Sequence, residues 1–407
     1  MLAAVMAGRA GLSVLVLEHN DSYGKKLSVT GNGKCNYTNL YQSIECYRGS
    51  DTEASFKIIQ KFGPDKIIDF MRSLGIEPYK RCGREFDDAR KVYVYPASES
   101  AADFTEAFQV EMNALKVKQK TRLHVCGIEK KEGCFNVTTI PSGEEDMTNA
   151  FSYKSRFVLV SAGGLAAPET GSDGSMLKIV KNSGIKVSKM TPALTKIYTK
   201  ENLQNLAGVR MTGKISLMHE ERVYTKEVGE IQFGTKAVSG IPAMQLSSLI
   251  NDRNDLLLLD FFPNMSDNET MTYLEERRRR LKWHPAASFL KGLFPPKFGA
   301  YILEKLALKK SLTVDELKIE DLSKIKDLTK YMLLHIDKKG DFGEAQVTHG
   351  GILLSECTKN LEAKNVSGLY FAGEILDTDG ICGGYNLTWA FASAYTAIQE
   401  IINKLHE

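Results

Sequence analysis

Leu2, Val5 and Met6, interleaved with alanines at 3, 4, 7 and 10, predict a tightly packed helix that Gly11 ends. Ser13 to Leu17 is a short β-branched and leucine run, closed by Glu18. Helix, glycine turn, buried strand and terminal acid form the second half of a Rossmann βαβ unit, in which the acid can accept hydrogen bonds from a ribose 2′-hydroxyl. The pattern then predicts helices near 52–62 and 64–74, the second opened by Pro64 and stopped by Gly75. A strand over Val92–Tyr95 and a long helix over Ser98–Val117 come next. Three strands follow near 121–129, 134–140 and 154–161, an antiparallel meander whose last member runs into Ser161-Ala162-Gly163-Gly164.

Beyond residue 190 the texture changes. Short alternating strands such as Gly213–Met218 and Leu256–Phe261 give way to a charged helical stretch over 266–330, and strand texture resumes at 331–337 and 345–354. This predicts a discontinuous first domain (1–190 and 355–407), a β-rich insertion (191–265 and 331–354) and a helical subdomain (266–330). Arg277–Arg280 could be a nucleic-acid patch, but Glu275 and Glu276 beside them favour one exposed helical face.

Two segments carry the candidate chemistry. GKKLSVTGNGKCNYTN, residues 24–39, is too rich in glycine and small polar residues for a regular helix or strand, and offers backbone N–H groups to a closely approaching ligand. Gly368 to Glu374 is an apolar strand ending in a glycine and an acid. A glycine-rich turn through Gly383-Gly384-Tyr385-Asn386 follows, with a helix from about Leu387. An acid at a strand end can hold ribityl hydroxyls, and a helix N-terminus can stabilise negative charge developing on a flavin ring.

Composition narrows the classes. Lys and Arg number 53 against 50 acids, a net charge of +3, too balanced to make nucleic acid or an acidic membrane the main partner. Seven scattered cysteines without a C-x-x-C pair argue against a disulfide framework or structural zinc and for a reducing, cytoplasmic setting. No apolar run approaches the ~20 residues of a membrane span. No metal is expected, and the oligomeric state is open.

The two glycine segments, with GEIQFGTKAVSGIPAMQLS (229–247) and AQVTHGGILLSE (345–356), resemble the BaiN-like flavoproteins, a family that also includes aminoacetone-oxidase-like enzymes. The resemblance runs over essentially the whole chain. It implies a glutathione-reductase-like FAD domain with a β-barrel-like insertion and a small helical domain, and hydride transfer at flavin N5. The reaction would be C=C reduction with NAD(P)H or oxidation of a small amine by dioxygen. It also implies site residues: Glu18 at the adenosine ribose, and Lys26, Thr30, Gly31, Gly33, Cys35 and Asn36 along the pyrophosphate and ribityl chain. Ala162, Gly163 and Gly164 would lie near adenine, with Gly373, Glu374, Asp377, Gly384, Tyr385 and Asn386 at the ribityl and isoalloxazine end. Departures are Lys34 for a commoner arginine, Thr388 for glutamine and Ala394 for glycine. The family's first strand and G-x-G-x-x-G loop would precede Met1, and a chain lacking them is expected to fold poorly or hold FAD weakly. His349, in VTHGG, and Tyr385 are the candidate acid–base or hydrogen-bonding groups, because histidine titrates near neutrality. A FAD-binding tRNA-modifying enzyme and a degenerate, non-catalytic flavin-binding protein are the alternatives.

Overall fold

A computed structural model describes residues 1–82, 92–144, 146–220, 222–250, 255–307 and 312–406. Positions 83–91, 145, 221, 251–254, 308–311 and 407, with the parts of the expected domains they carry, lie outside the described residues. The chain divides into two compact units, Met1–Pro192 with Ala345–Glu407, and Ala193–Glu344.

In the first unit the opening helix is Leu2–Arg9, and Gly11 turns the chain with φ 75° into the strand Leu15–Leu17. That strand pairs in parallel with Lys118–Lys120, and Val158–Val160 pairs in parallel with Leu369–Phe371. Between them run helices Thr52–Lys61, Pro64–Arg72 and Ala101–Ala114. The last is capped by Ser100, whose hydroxyl accepts from Asp103 N at 3.2 Å, so it starts later than the apolar pattern suggested. Phe104, Phe108 and Met112 lie four apart on its inner face, each fully buried. Each contributes roughly 1.5–3 kcal/mol of burial. The Phe108 ring stacks with Phe391 of the terminal helix Tyr385–His406 at 6.5 Å between centroids.

Leu123–Lys131, Cys134–Pro141 and Phe151–Ser155 form an antiparallel three-stranded sheet. The expected strand 154–161 is in fact two. Phe151–Ser155 ends the meander, and Val158–Val160 belongs to the parallel pair. No glycine or proline between Phe151 and Val160 marks the change of partner, so the sequence shows no break there. The segment 24–39 likewise holds more regular structure than its composition suggests: a helical turn at Lys25–Ser28 and a short strand at Thr38–Asn39.

The second unit is built on a closed six-stranded barrel: Ile197–Thr199, Ala237–Ser239, Arg222–Phe233, Arg210–His219, Leu256–Asp260 and Met332–Lys339. Met332 to Asp337 alternates buried and exposed along the wall, as a strand with one face on a core must. Helices Asp267–Arg280, Pro296–Leu306 and Ile319–Lys330 adjoin it. Lys330 Nζ, almost fully buried, is satisfied by Asp260 Oδ2 (3.3 Å) and the carbonyls of Phe262 (3.1 Å) and Met265 (2.7 Å). The arginine run is not one solvated face. Arg277 donates to the Phe289 and Lys291 carbonyls (2.7 and 2.6 Å), and Arg278 to Leu317 O (2.6 Å). Only Arg279 and Arg280 are exposed.

Candidate functional site

Six of the sixteen predicted cofactor residues closely follow strands of the two parallel pairs. Glu18 directly follows Leu15–Leu17, Ala162-Gly163-Gly164 follows Val158–Val160, and Gly373-Glu374 follows Leu369–Phe371. Ligands of open parallel sheets sit at this edge, because the strand ends expose backbone groups that the next turns leave unpaired. Glu18 Oε1 accepts from Asn20 N and Nδ2 (2.9 and 3.0 Å), which fixes the carboxylate at the strand end.

Lys26 and Glu374, 348 residues apart, meet as an ion pair of 2.6 Å, both mostly buried. Lys26 also donates to Ala166 O (2.9 Å), and Glu374 Oε1 accepts from Thr348 N (2.8 Å). Thr348 Oγ1 in turn accepts from Leu165 N (2.7 Å) and Ala166 N (2.9 Å). One polar network therefore ties four sequence segments together. Gly164 is required within it, since a Cβ there would stand 2.4 Å from Thr348 Oγ1.

In the first loop Gly31, Asn32, Gly33 and Cys35 have φ of 57°, 55°, 79° and 57°. Such angles are cheap for glycine and tolerable for asparagine, and Cys35 is the one residue of the run without that ease. Thr30 Oγ1 donates to Leu27 O (2.6 Å), and Thr30 O accepts from Cys35 N (3.1 Å). Cys35 points inward, and burial pushes its thiol up to about 12. Asn36, with its amide nitrogen turned to donate, reaches Thr38 O (2.9 Å) and Val94 O (3.2 Å).

The glycine turn after the second strand pair closes on itself. Asn386 accepts from Gly380 N and donates to Gly380 O, both at 2.8 Å. Asp377 is buried and accepts from Ser50 N (3.2 Å). Tyr385 is fully buried, its ring edge-on to Tyr47 at 5.8 Å, and burial drives its phenol well above the ordinary range. Thr388 Oγ1 bonds Thr38 Oγ1 (2.8 Å) and Gly384 O (3.0 Å), docking the terminal helix on the first loop.

His349, 37% exposed at its side chain, bonds through Nδ1 to Oδ1 of fully buried Asp379 at 2.6 Å. The register places Arg48 opposite Asp379. Asp379 and Thr348 were not proposed as site residues from the sequence, and Thr388 entered only as a departure from the family's pattern. The one available signal for Asp379 was its position in TDG at the entry to the glycine turn. His19, His124 and Asp173 also offer ligand atoms within 4.8 Å of one another, which their separation in sequence hides.

The residues fit an FAD. Buried polar atoms without a hydrogen-bond partner include Asp379 Oδ2, Arg48 Nη1 and Ser172 Oγ, and native interiors leave few such atoms unless a bound group satisfies them. Ser172 Oγ would lie 2.5 Å from a Cβ at Gly163, so backbone and hydroxyl there approach closely.

Comparison with known proteins is consistent with this geometry. Residues 1–400 match the family described as HI0933-like protein Rossmann domain. The chain is 31% identical over 406 residues to a 3-dehydro-bile acid delta(4,6)-reductase of Clostridium scindens, covering 98% of this chain and 95% of that protein. It is 27% identical over 411 residues to a ribosomal RNA dihydrouridine synthase of Escherichia coli, covering 99% and 95%. Among solved structures, the open conformation of a flavocytochrome c3 fumarate reductase superimposes with TM-score 0.53 at 11% identity, over 100% of this chain and 77% of that one. At that identity the likeness concerns fold alone. Among the described residues no helix is long and apolar enough to cross a membrane.

Proposed function

The chain belongs to the HI0933-like family and is an FAD-dependent oxidoreductase, and from that premise we propose that it reduces a carbon–carbon double bond conjugated to a carbonyl, with NADH or NADPH as electron source. The observation that carries the reading is the full-length relationship, at 31% identity, to a protein named as a reductase. The name dihydrouridine synthase, borne by the Escherichia coli relative, likewise describes a product with two hydrogens added.

Glu18 would hold the adenosine ribose. The segments Lys26–Asn36, Ala162–Gly164 and Gly373–Asn386 would hold the rest of FAD. When bound, FAD supplies two-electron hydride chemistry. The protein's own part is electrostatic and positional. Lys26 keeps a positive charge beside Glu374, the terminal helix directs the positive end of its dipole at the glycine turn, and the rigid Asn386–Gly380 clasp fixes that turn.

The test is anaerobic addition of NADH or NADPH to the purified flavin-loaded chain, followed by 2-cyclohexenone and a 3-oxo-4-ene steroid. Bleaching by nicotinamide and recovery with either enone is expected. Flavin that stays oxidised with nicotinamide but is reduced by a primary amine would overturn the reading in favour of an oxidase.

A second reading has its own support. The relatives named for ribosomal RNA span this chain end to end. Trp283, 81% exposed, lies beside the Lys282 ammonium (4.6 Å from the ring centroid) and close in sequence to exposed Arg279 and Arg280. An exposed aromatic among cations can stack a nucleobase. Binding of ribosomal RNA fragments that falls steeply with salt, and is lost in Trp283→Ala, would favour RNA as the substrate of the same reduction.

A further inference from the structure

We propose that His349 and Asp379 form a proton-delivering dyad, with His349 the donor at Nε2 and Asp379 its positioning residue; this rests on the reading of the protein as a C=C reductase. Reduction of a conjugated C=C breaks one π bond and forms two C–H bonds. The carbon β to the carbonyl takes a hydride that originates in reduced nicotinamide. The carbon α to the carbonyl takes a proton, which the protein must supply. His349 gives that proton and regains it from solvent.

Four observations point to this pair. Asp379 has no exposed side-chain surface, whereas His349 is 37% exposed, so a fixed buried carboxylate backs a ring that water can reach. The 2.6 Å contact is made by Nδ1, which holds one tautomer and leaves proton transfer to Nε2. His349 follows Thr348 directly, and Thr348 is bonded to Glu374, Leu165 and Ala166, so the imidazole stands on the polar network assigned to FAD. The segment is rigid. Gly351 approaches Ile375 O so closely that a Cβ would be 2.5 Å from it, and backbone bonds Ile352 N to Ile375 O (2.9 Å) and Asp377 N to Ile352 O (2.8 Å) run alongside.

Among the described residues, the charged and titratable groups linked to His349 include Asp379, Arg48 at the register position opposite Asp379, and Glu374 with Lys26 through Thr348. Cys382 and Tyr385 lie further along the same turn.

The test uses the flavin-loaded full chain, reduced by NADPH and mixed with the enones above, as wild type, His349→Gln and Asp379→Asn. Each variant's reoxidation is read relative to its own rate of bleaching by nicotinamide, which separates proton delivery from any change in flavin retention. Reoxidation by enone should slow about 100-fold or more in H349Q and about 10-fold in D379N, with the pH at which the rate falls off moved down in D379N. H349Q reoxidising at the wild-type rate would overturn the dyad while leaving the reductase reading intact. Wild type bleached by NADPH but not reoxidised by either enone sinks the reductase reading instead. The dyad is then judged by histidine ¹⁵N NMR of the full chain. His349 should hold its proton at Nδ1 when neutral and titrate about tenfold more easily in D379N. An unchanged tautomer and titration in D379N would refute it.

Discussion

Gly384→Ala tests whether the two glycine-rich loops are held together by close backbone packing. Gly384 has φ 92°, and a Cβ there would stand 2.6 Å from Thr38 C, 2.7 Å from Thr38 O and 2.8 Å from the Asn36 side-chain amide. The left-handed backbone alone costs an alanine about 1–2 kcal/mol. Contacts this short with main chain cannot be relieved by a side-chain rotation, so the loops must part, adding roughly 1–3 kcal/mol. The expected loss is about 2–5 kcal/mol of stability. Gly33 is the control: its φ is 79°, but nothing lies within 4 Å of a Cβ there. Gly33→Ala should therefore carry the backbone cost of about 1–2 kcal/mol without the clash. Urea unfolding of both variants, followed by circular dichroism, gives the difference. Flavin retained after gel filtration should fall for G384A and hold for G33A. A G384A loss no larger than that of G33A would refute the close-packing argument.

Lys26→Met removes one partner of a mostly buried pair but leaves Glu374 bonded to Thr348 N. The expected cost is about 1–3 kcal/mol, below that of a fully buried pair because both groups keep some water. Thermal unfolding measures it, and no change would show that Glu374 is satisfied without the lysine. Cys35 and Cys357 are both pushed up to about 12 by burial. Folding therefore favours their protonated forms, and their contribution is fully present below pH ~9 and lost as pH rises toward about 12. The slope should be about 1.4 kcal/mol per pH unit per thiol, read from urea midpoints at increasing pH. Neither thiol should react with a disulfide reagent in the native state at neutral pH. Trp283 and Trp389 are the two tryptophans, one 81% exposed and the other buried, with its Nε1 donating to Gly373 O at 3.1 Å. Trp283→Phe should change stability by less than ~0.5 kcal/mol and leave a blue-shifted emission from Trp389 that added FAD quenches. Unquenched emission in a flavin-loaded sample would place the flavin away from Gly373.

Local patterns were enough for much of the frame. The opening helix with its glycine stop, the two strand-end acids and the start of the terminal helix within two residues all follow from side-chain periodicity and from glycine's freedom at positive φ, which are local properties. The strand texture at 331–337 and the run Leu256–Phe261 marked two strands for the same reason, while their closure into a barrel was implied only by the family resemblance. Pairing was not legible. That Val158–Val160 leaves the meander for a parallel partner, or that Arg277 and Arg278 cap carbonyls instead of facing water, depends on residues far away in the chain.

The sequence by itself determined the local elements and the two glycine-rich segments, because these are written in short-range spacing, and its resemblance to a known family supplied the fold class. Only the tertiary structure decided what meets what. It brought Lys26 to Glu374 across 348 positions, and it turned Tyr385 and Cys35 into the core. It also set a buried aspartate behind His349. Such contacts are fixed by the packing of strands and loops in three dimensions, and a chain read residue by residue carries no record of those distances.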